Sequence, residues 1–179
     1  MNKGIKGQKK GQLIIFLSCL FIIAGSLCGS IIYIIKPNSP FSAAAKALLN
    51  GKNSLYTFAA SCVLPYLILL SSALNFGIAI SLILLLCQSF LSACIICTAI
   101  NSDLSNLLLI KNIAEQFLLL LCCFLSSVFS INRVVKKFST PSCRKPYLKR
   151  EKAKTTAENI IVFSASTLLI VLYCFLKKS

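Results

Sequence analysis

The stretch LLLIKNIAEQFLLLLCCFLSSVFSI, running from Leu107 to Ile131, decides the reading of this chain. It is long enough for a helix to cross a hydrocarbon core of ~30 Å. Its two charges are Lys111 and Glu115. A charged side chain at the centre of a spanning helix costs roughly 2.5–3.5 kcal/mol on insertion scales, and less near an end. Glu115 is therefore the first candidate functional residue. Lys111, four residues earlier, projects from the same helix face and is its nearest candidate partner.

The rest of the chain has the same character. Of its 179 residues, 57% are hydrophobic, and the mean hydropathy is +0.85. A water-soluble fold of this size has too little polar surface to cover that much apolar side chain. The expected class is all-α, a polytopic bundle of about five transmembrane helices in the cell membrane. The expected spans are 13–35, 55–74, 78–100, 107–131 and 159–176. Segment 36–54 is expected to hold a short interfacial helix over Phe41–Asn53, after Lys36-Pro37-Asn38-Ser39-Pro40 ends the first span. Pro65 is expected to kink the second span, and Asn75-Phe76-Gly77 to turn the chain into the third.

Lys and Arg number 19 against 4 Asp and Glu, a formal charge of +15. Lys3, Lys6, Lys9 and Lys10 lie in the amino-terminal segment 1–12. Arg133, Lys136, Lys137, Arg144, Lys145, Lys149, Arg150, Lys152 and Lys154 fill the segment 132–158. Basic residues concentrate on the cytoplasmic side of membrane proteins and meet anionic headgroups there. Both segments are thus expected to be cytoplasmic, with the carboxyl terminus outside. Arg133, Lys136, Lys137, Arg144, Lys145, Lys149 and Arg150 are the expected lipid contacts. Nucleic acid is not an expected partner, because the aromatics that would stack on bases lie in the apolar runs.

No enzyme is expected, and no cofactor or metal. The chain has no His, the commonest general base. Its acids, Asp103, Glu115, Glu151 and Glu158, are dispersed, and it lacks a phosphate-binding glycine loop. Nine of its ten cysteines fall in apolar runs, where Cys packs as a small hydrophobe. Cys94-Ile-Ile-Cys97 matches CxxC in letters, but it lacks the polar access and further ligands of a metal site. Gly25-Ser-Leu-Cys-Gly29 is a small-xxx-small motif, suited to an internal packing groove or to a partner helix. Gln88, with Ser89 and Ser92, is expected to hydrogen-bond between helices.

The order of these features resembles the stage II sporulation protein M family. The resemblance rests on Phe21-Ile-Ile-Ala-Gly25-Ser-Leu-Cys-Gly29-Ser30, on Val63-Leu-Pro65-Tyr66, on the Asn75-Phe-Gly77 turn and on Asn112-Ile-Ala-Glu115-Gln-Phe-Leu-Leu. Where the family has His and Gly before that glutamate, this chain has Lys111-Asn112-Ile113. The resemblance implies a non-enzymatic scaffold of the sporulation engulfment machinery. It would organise peptidoglycan-degrading enzymes of the stage II sporulation D and P type. Gly25, Gly29 and the Phe41–Asn53 helix would be its contact surfaces, and Glu115 would pin the fourth helix in the bundle. The alternative is a small transporter or permease component with a midplane polar site, to which Pro65, Gln88 and Glu115 point.

The charge pattern predicts that a reporter fused after Ser179 works outside the cell. Activity confined to the cytoplasm would refute the five-span orientation.

Overall fold

Long apolar runs punctuated by short polar segments give a helical chain. The computed structural model describes residues 2–37, 39–49, 54–74, 76–102 and 105–139, with Ile161, Ser164 and Leu168 beyond them. Among the described residues there are five helices: α1 (Asn2–Ile35), α2 (Pro40–Leu49), α3 (Ser54–Ser71), α4 (Gly77–Ile100) and α5 (Asn106–Ser139). Three segments are long and apolar enough to cross a membrane: Gly11–Ile35, Gly77–Ile100 and Asn106–Val135. The expected fifth span, 159–176, lies outside the described residues apart from Ile161, Ser164 and Leu168, which are helical.

The boundaries follow local chemistry. Ser39 caps α2, its carbonyl accepting from Ala43 N at 3.0 Å. Pro40 takes the first helical position, where a missing N–H costs nothing. Pro65 sits inside α3 and is fully buried. α3 stops at Ser71, three residues short of the expected Leu74, and residues 72–74 continue as tight turns with bonds back to Leu69, Leu70 and Ser71. Gly77 opens α4 against the Ser71 carbonyl, where a Cβ would collide with that oxygen. Ser105 caps α5 through its carbonyl, which accepts from Leu109 N at 3.0 Å.

Two helices overrun their expected spans. α1 starts at Asn2, so most of segment 1–12 is helical, and α5 runs through Ser139, past the expected end at Ile131. Lys, Arg and Gln are good helix formers, and neither extension contains Pro. Each of these helices has 34 residues, about 51 Å at ~1.5 Å per residue, well beyond a ~30 Å hydrocarbon core.

The central element is α4, which packs against each of the other four described helices, most extensively against α1 and then α5. The contacts give the directions. Along α1, Ile14, Gly25, Gly29 and Tyr33 meet Leu82, Leu86, Phe90 and Asn101 in that order, so α1 and α4 run parallel. Ser81 meets Ser130 while Ser92 meets Gln116, so α5 is antiparallel to both. α3 runs with α5, Ile68 lying in one cluster with Cys123 and Ser71 bonded to Ser130. α2 lies across the far half of α4: Ala45 packs on Cys94 and Ile95, and Phe41 stacks edge-on against Phe90 at 5.3 Å. The start of α1 and the end of α5, which carry Lys3, Lys6, Lys9, Lys10, Arg133, Lys136 and Lys137, thus share one end of the bundle, here termed the basic end.

Gly25 and Gly29 make the α1–α4 contact possible. A Cβ on Gly25 would strike the Ser89 hydroxyl and lie 2.6 Å from the Leu86 carbonyl oxygen. One on Gly29 would lie 2.5 Å from the Phe90 carbonyl oxygen and 3.0 Å from the Ala93 Cβ. Both glycines therefore belong to an internal packing groove and offer no face to a partner helix. Gly11, on the same helix, is open, with nothing within 4 Å of an added Cβ. Replacing Gly by Ala in an unhindered helix gains about 0.8–1.0 kcal/mol of propensity, while overpacking costs typically about 1–3 kcal/mol. Gly11→Ala is therefore predicted to hold or raise stability and Gly25→Ala to lower it, measured as reversible unfolding in mixed detergent. The opposite order would contradict this packing.

Candidate functional site

The exterior of the bundle is apolar and its interior is studded with polar side chains. Leu13, Phe16, Leu70, Phe76, Leu107 and Phe117 are exposed, whereas Ser71, Ser81, Gln88, Ser92, Glu115, Gln116 and Ser130 are buried. A water-soluble protein rarely shows so large an apolar surface. A spanning bundle shows it by necessity, since its polar groups must find partners inside.

Two polar layers result. The first lies toward the basic end, where Ser71 of α3, Ser81 of α4 and Ser130 of α5 bond to one another. Their hydroxyls are 2.7 Å (Ser71–Ser81), 2.9 Å (Ser81–Ser130) and 3.2 Å (Ser71–Ser130) apart. The Ser71 hydroxyl also donates to the Ile68 carbonyl at 2.6 Å, as a helical serine does when its back-bond satisfies it. One turn further along α5, the Arg133 guanidinium donates to the Ser72 hydroxyl at 3.3 Å. Three helices are tied by side chains small enough to let their backbones approach closely.

The second layer lies toward the far end. The Gln88 amide donates to the Ser92 hydroxyl at 3.3 Å, and Ser92 donates to the Gln116 carbonyl at 3.2 Å. This joins α4 to α5. Beside it is a crevice of about 320 Å3 between α1, α4 and α5, lined by Ser26, Ser30, Ser92, Gln116, Cys97 and Phe117 among others. Gln88 and Glu115, which a midplane transport site would place together, are not among its lining residues. Glu115 is 6% exposed, adjacent to Gln116 on α5, and Lys111 is half-buried one turn before it. Lys136 and Lys137 fall in the last turns of α5; Arg144, Lys145, Lys149 and Arg150 lie outside the described residues.

The CxxC cysteines also serve packing. Cys94 donates to the Gly29 carbonyl at 3.6 Å and Cys97 to the Ser30 hydroxyl at 3.9 Å, both across the α1–α4 seam. Among the described residues no group of three or more His, Cys, Asp or Glu could hold a metal ion. Sequence reasoning singled out Glu115 and the Gln88 stripe but missed the serine knot. Ser130 is distant in the chain from Ser71 and Ser81, and each alone is an ordinary helical serine.

Interhelical hydrogen bonds in membrane proteins average about 0.6 kcal/mol, with a maximum near ~1.7. Ser81→Ala, which removes two of them, is predicted to cost about 1–2 kcal/mol. Ser18→Ala, by contrast, is predicted to be neutral or stabilising, because the Ser18 hydroxyl is buried without a hydrogen-bond partner among the described residues. Equal losses in detergent unfolding would contradict the assignment of the knot. Compared with known proteins, the chain matches no family, no curated protein and no solved structure.

Proposed function

We propose that the chain is a multi-pass protein of the cell membrane, with a cytoplasmic amino terminus, whose bundle holds other membrane proteins in place and catalyses no reaction. The observation that carries this reading is how the interior polar groups are used. Ser92 accepts from Gln88 within α4 and donates to Gln116 of α5, and Ser71, Ser81 and Ser130 bond to one another. Their chemistry is cohesion between helices, which leaves the outer surfaces as the means of acting on other molecules.

Connectivity supports a fourth crossing beyond the three long apolar helices. α1 and α4 run parallel, so the chain between them must return across the same thickness. α3 makes that return, since its end lies against the start of α4 at Ser81. Its 18 residues cover about 27 Å. A fifth crossing is the apolar run 159–176. The gathering of Lys3, Lys6, Lys9, Lys10, Arg133, Lys136 and Lys137 at one end supports a cytoplasmic basic end in contact with anionic lipid.

In an endospore-forming bacterium the partners would be the membrane-anchored peptidoglycan hydrolases of the stage II sporulation D and P type. The face offered to them would be α2, whose Ala43, Ala44, Lys46 and Ala47 point outward while Ala45 anchors it on α4. Crosslinking and pull-down of the full chain from sporulating cells is expected to recover these hydrolases. Glu115→Gln is expected to leave their recovery unchanged. Solute flux through the reconstituted protein that Glu115→Gln abolishes would overturn the scaffold reading in favour of a carrier.

A further inference from the structure

The crevice between α1, α4 and α5 has a volume of about 320 Å3. Small-molecule sites begin at roughly 300 Å3 and combine a mostly apolar lining with a few polar groups. This crevice has that make-up. Ile96, Ile113, Phe117 and Leu120 supply apolar walls, and Ser26, Ser30 and Gln116 supply polar groups. Phe117 is exposed, so the crevice borders the apolar exterior of the bundle, where a ligand arrives from lipid.

Hydrogen-bond bookkeeping within the crevice leaves donors over. The Ser92 hydroxyl accepts from the Gln88 amide, so its single proton goes to the Gln116 carbonyl oxygen. That bond fixes which way the Gln116 amide is turned. Gln116 is 8% exposed, and its amide nitrogen, which can only donate, has no acceptor among the described residues. The Ser30 hydroxyl accepts from the Cys97 thiol, and its own proton is likewise unclaimed among the described residues. These groups stand in contrast to the serine knot, whose hydroxyls bond to one another.

Depth and charge narrow what can satisfy them. Gln116 lies ten residues inside α5 and Ser26 nine residues before the end of α1, about 15 Å and about 14 Å along their helices. The hydrocarbon core is ~30 Å thick, so this is near its midplane, below the reach of lipid headgroups. An acyl chain at that depth offers no acceptor, and an unsatisfied donor in hydrocarbon costs several kcal/mol. None of the described residues lining the crevice carries a charge, which selects a neutral ligand. The complement is a compact apolar ring bearing carbonyl oxygens, able to lie against the Phe117 ring.

We propose that this crevice binds the ring of a lipophilic quinone, which enters sideways from the bilayer and accepts hydrogen bonds from Gln116, Ser26 and Ser30. The site goes beyond the scaffold reading and does not depend on it. It binds the ring without altering it.

The absence of Trp from the chain supplies the test. Phe117→Trp places a fluorophore in the crevice, and Leu70→Trp places one on the exposed surface of α3, outside it. The full chain in phosphatidylcholine nanodiscs is titrated with menadione, a naphthoquinone without a tail. Saturable quenching is expected at Phe117→Trp, against a linear rise from partitioning alone at Leu70→Trp. Linear quenching at both leaves the crevice to lipid and overturns the proposal. Naphthalene, which has the ring system without the carbonyl oxygens, is expected not to relieve the saturable quenching. Relief equal to that by a non-quenching carbonyl analogue, chromone, would show an apolar hollow only, and overturn the proposal. In the Phe117→Trp background, Gln116→Leu is expected to weaken binding about tenfold. Because Gln116→Leu also removes the bond to Ser92, Ser26→Ala is measured beside it. That variant breaks no interhelical bond among the described residues, and a loss of about threefold is expected. Unchanged affinity in both variants overturns the proposal.

Discussion

The structure depends on the approach of α1 to α4 at Gly25 and Gly29. Side chains normally hold two helix axes 8–10 Å apart. Here two glycines one turn apart bring the backbone of α1 onto the Leu86 and Phe90 carbonyls. No hydrophobic force drives helices together within lipid, so close van der Waals contact must supply the attraction. α4 is the helix that every other described helix touches. Displacing α1 from it would therefore disturb the Ile14–Leu82–Ile131 cluster, the Cys94–Gly29 contact and the wall of the crevice together.

The second constraint is that buried polar groups must be satisfied inside the bundle. Two layers meet it differently. Near the basic end, three serines share one knot, and every partner is a short side chain that keeps α3, α4 and α5 close. Toward the far end, the longer Gln116 side chain of α5 reaches Ser92 of α4, which also accepts from Gln88 one turn earlier on its own helix, and the crevice opens beside them. Ser18 and Ser127 stand apart from both layers, buried with no hydrogen-bond partner among the described residues.

The helical class was legible in the sequence, because long apolar runs interrupted by Pro37 and Pro40 are local signals. Helix ends at the basic end were not. Lys and Arg mark the edge of a span but continue a helix readily, so α1 and α5 extend beyond the apolar residues. The two roles open to Gly25 and Gly29 could not be separated from the letters alone. That choice depends on which helix lies alongside, and α1 and α4 are separated by two other helices in the chain. Attention to charge drew the reading to Glu115, yet the interhelical bonds described here are carried largely by neutral Ser and Gln, whose short range reveals them only once the helices are in register.

α1 and α4 pack side by side, in parallel, within one chain. The Ser30 hydroxyl and Cys97 sulfur are 3.9 Å apart across that seam. A Ser30→Cys variant retaining Cys97 as its only other thiol tests this packing by oxidation in native membranes at low expression. A disulfide within one chain, independent of protein concentration, is expected. A disulfide that forms only between two chains would contradict it.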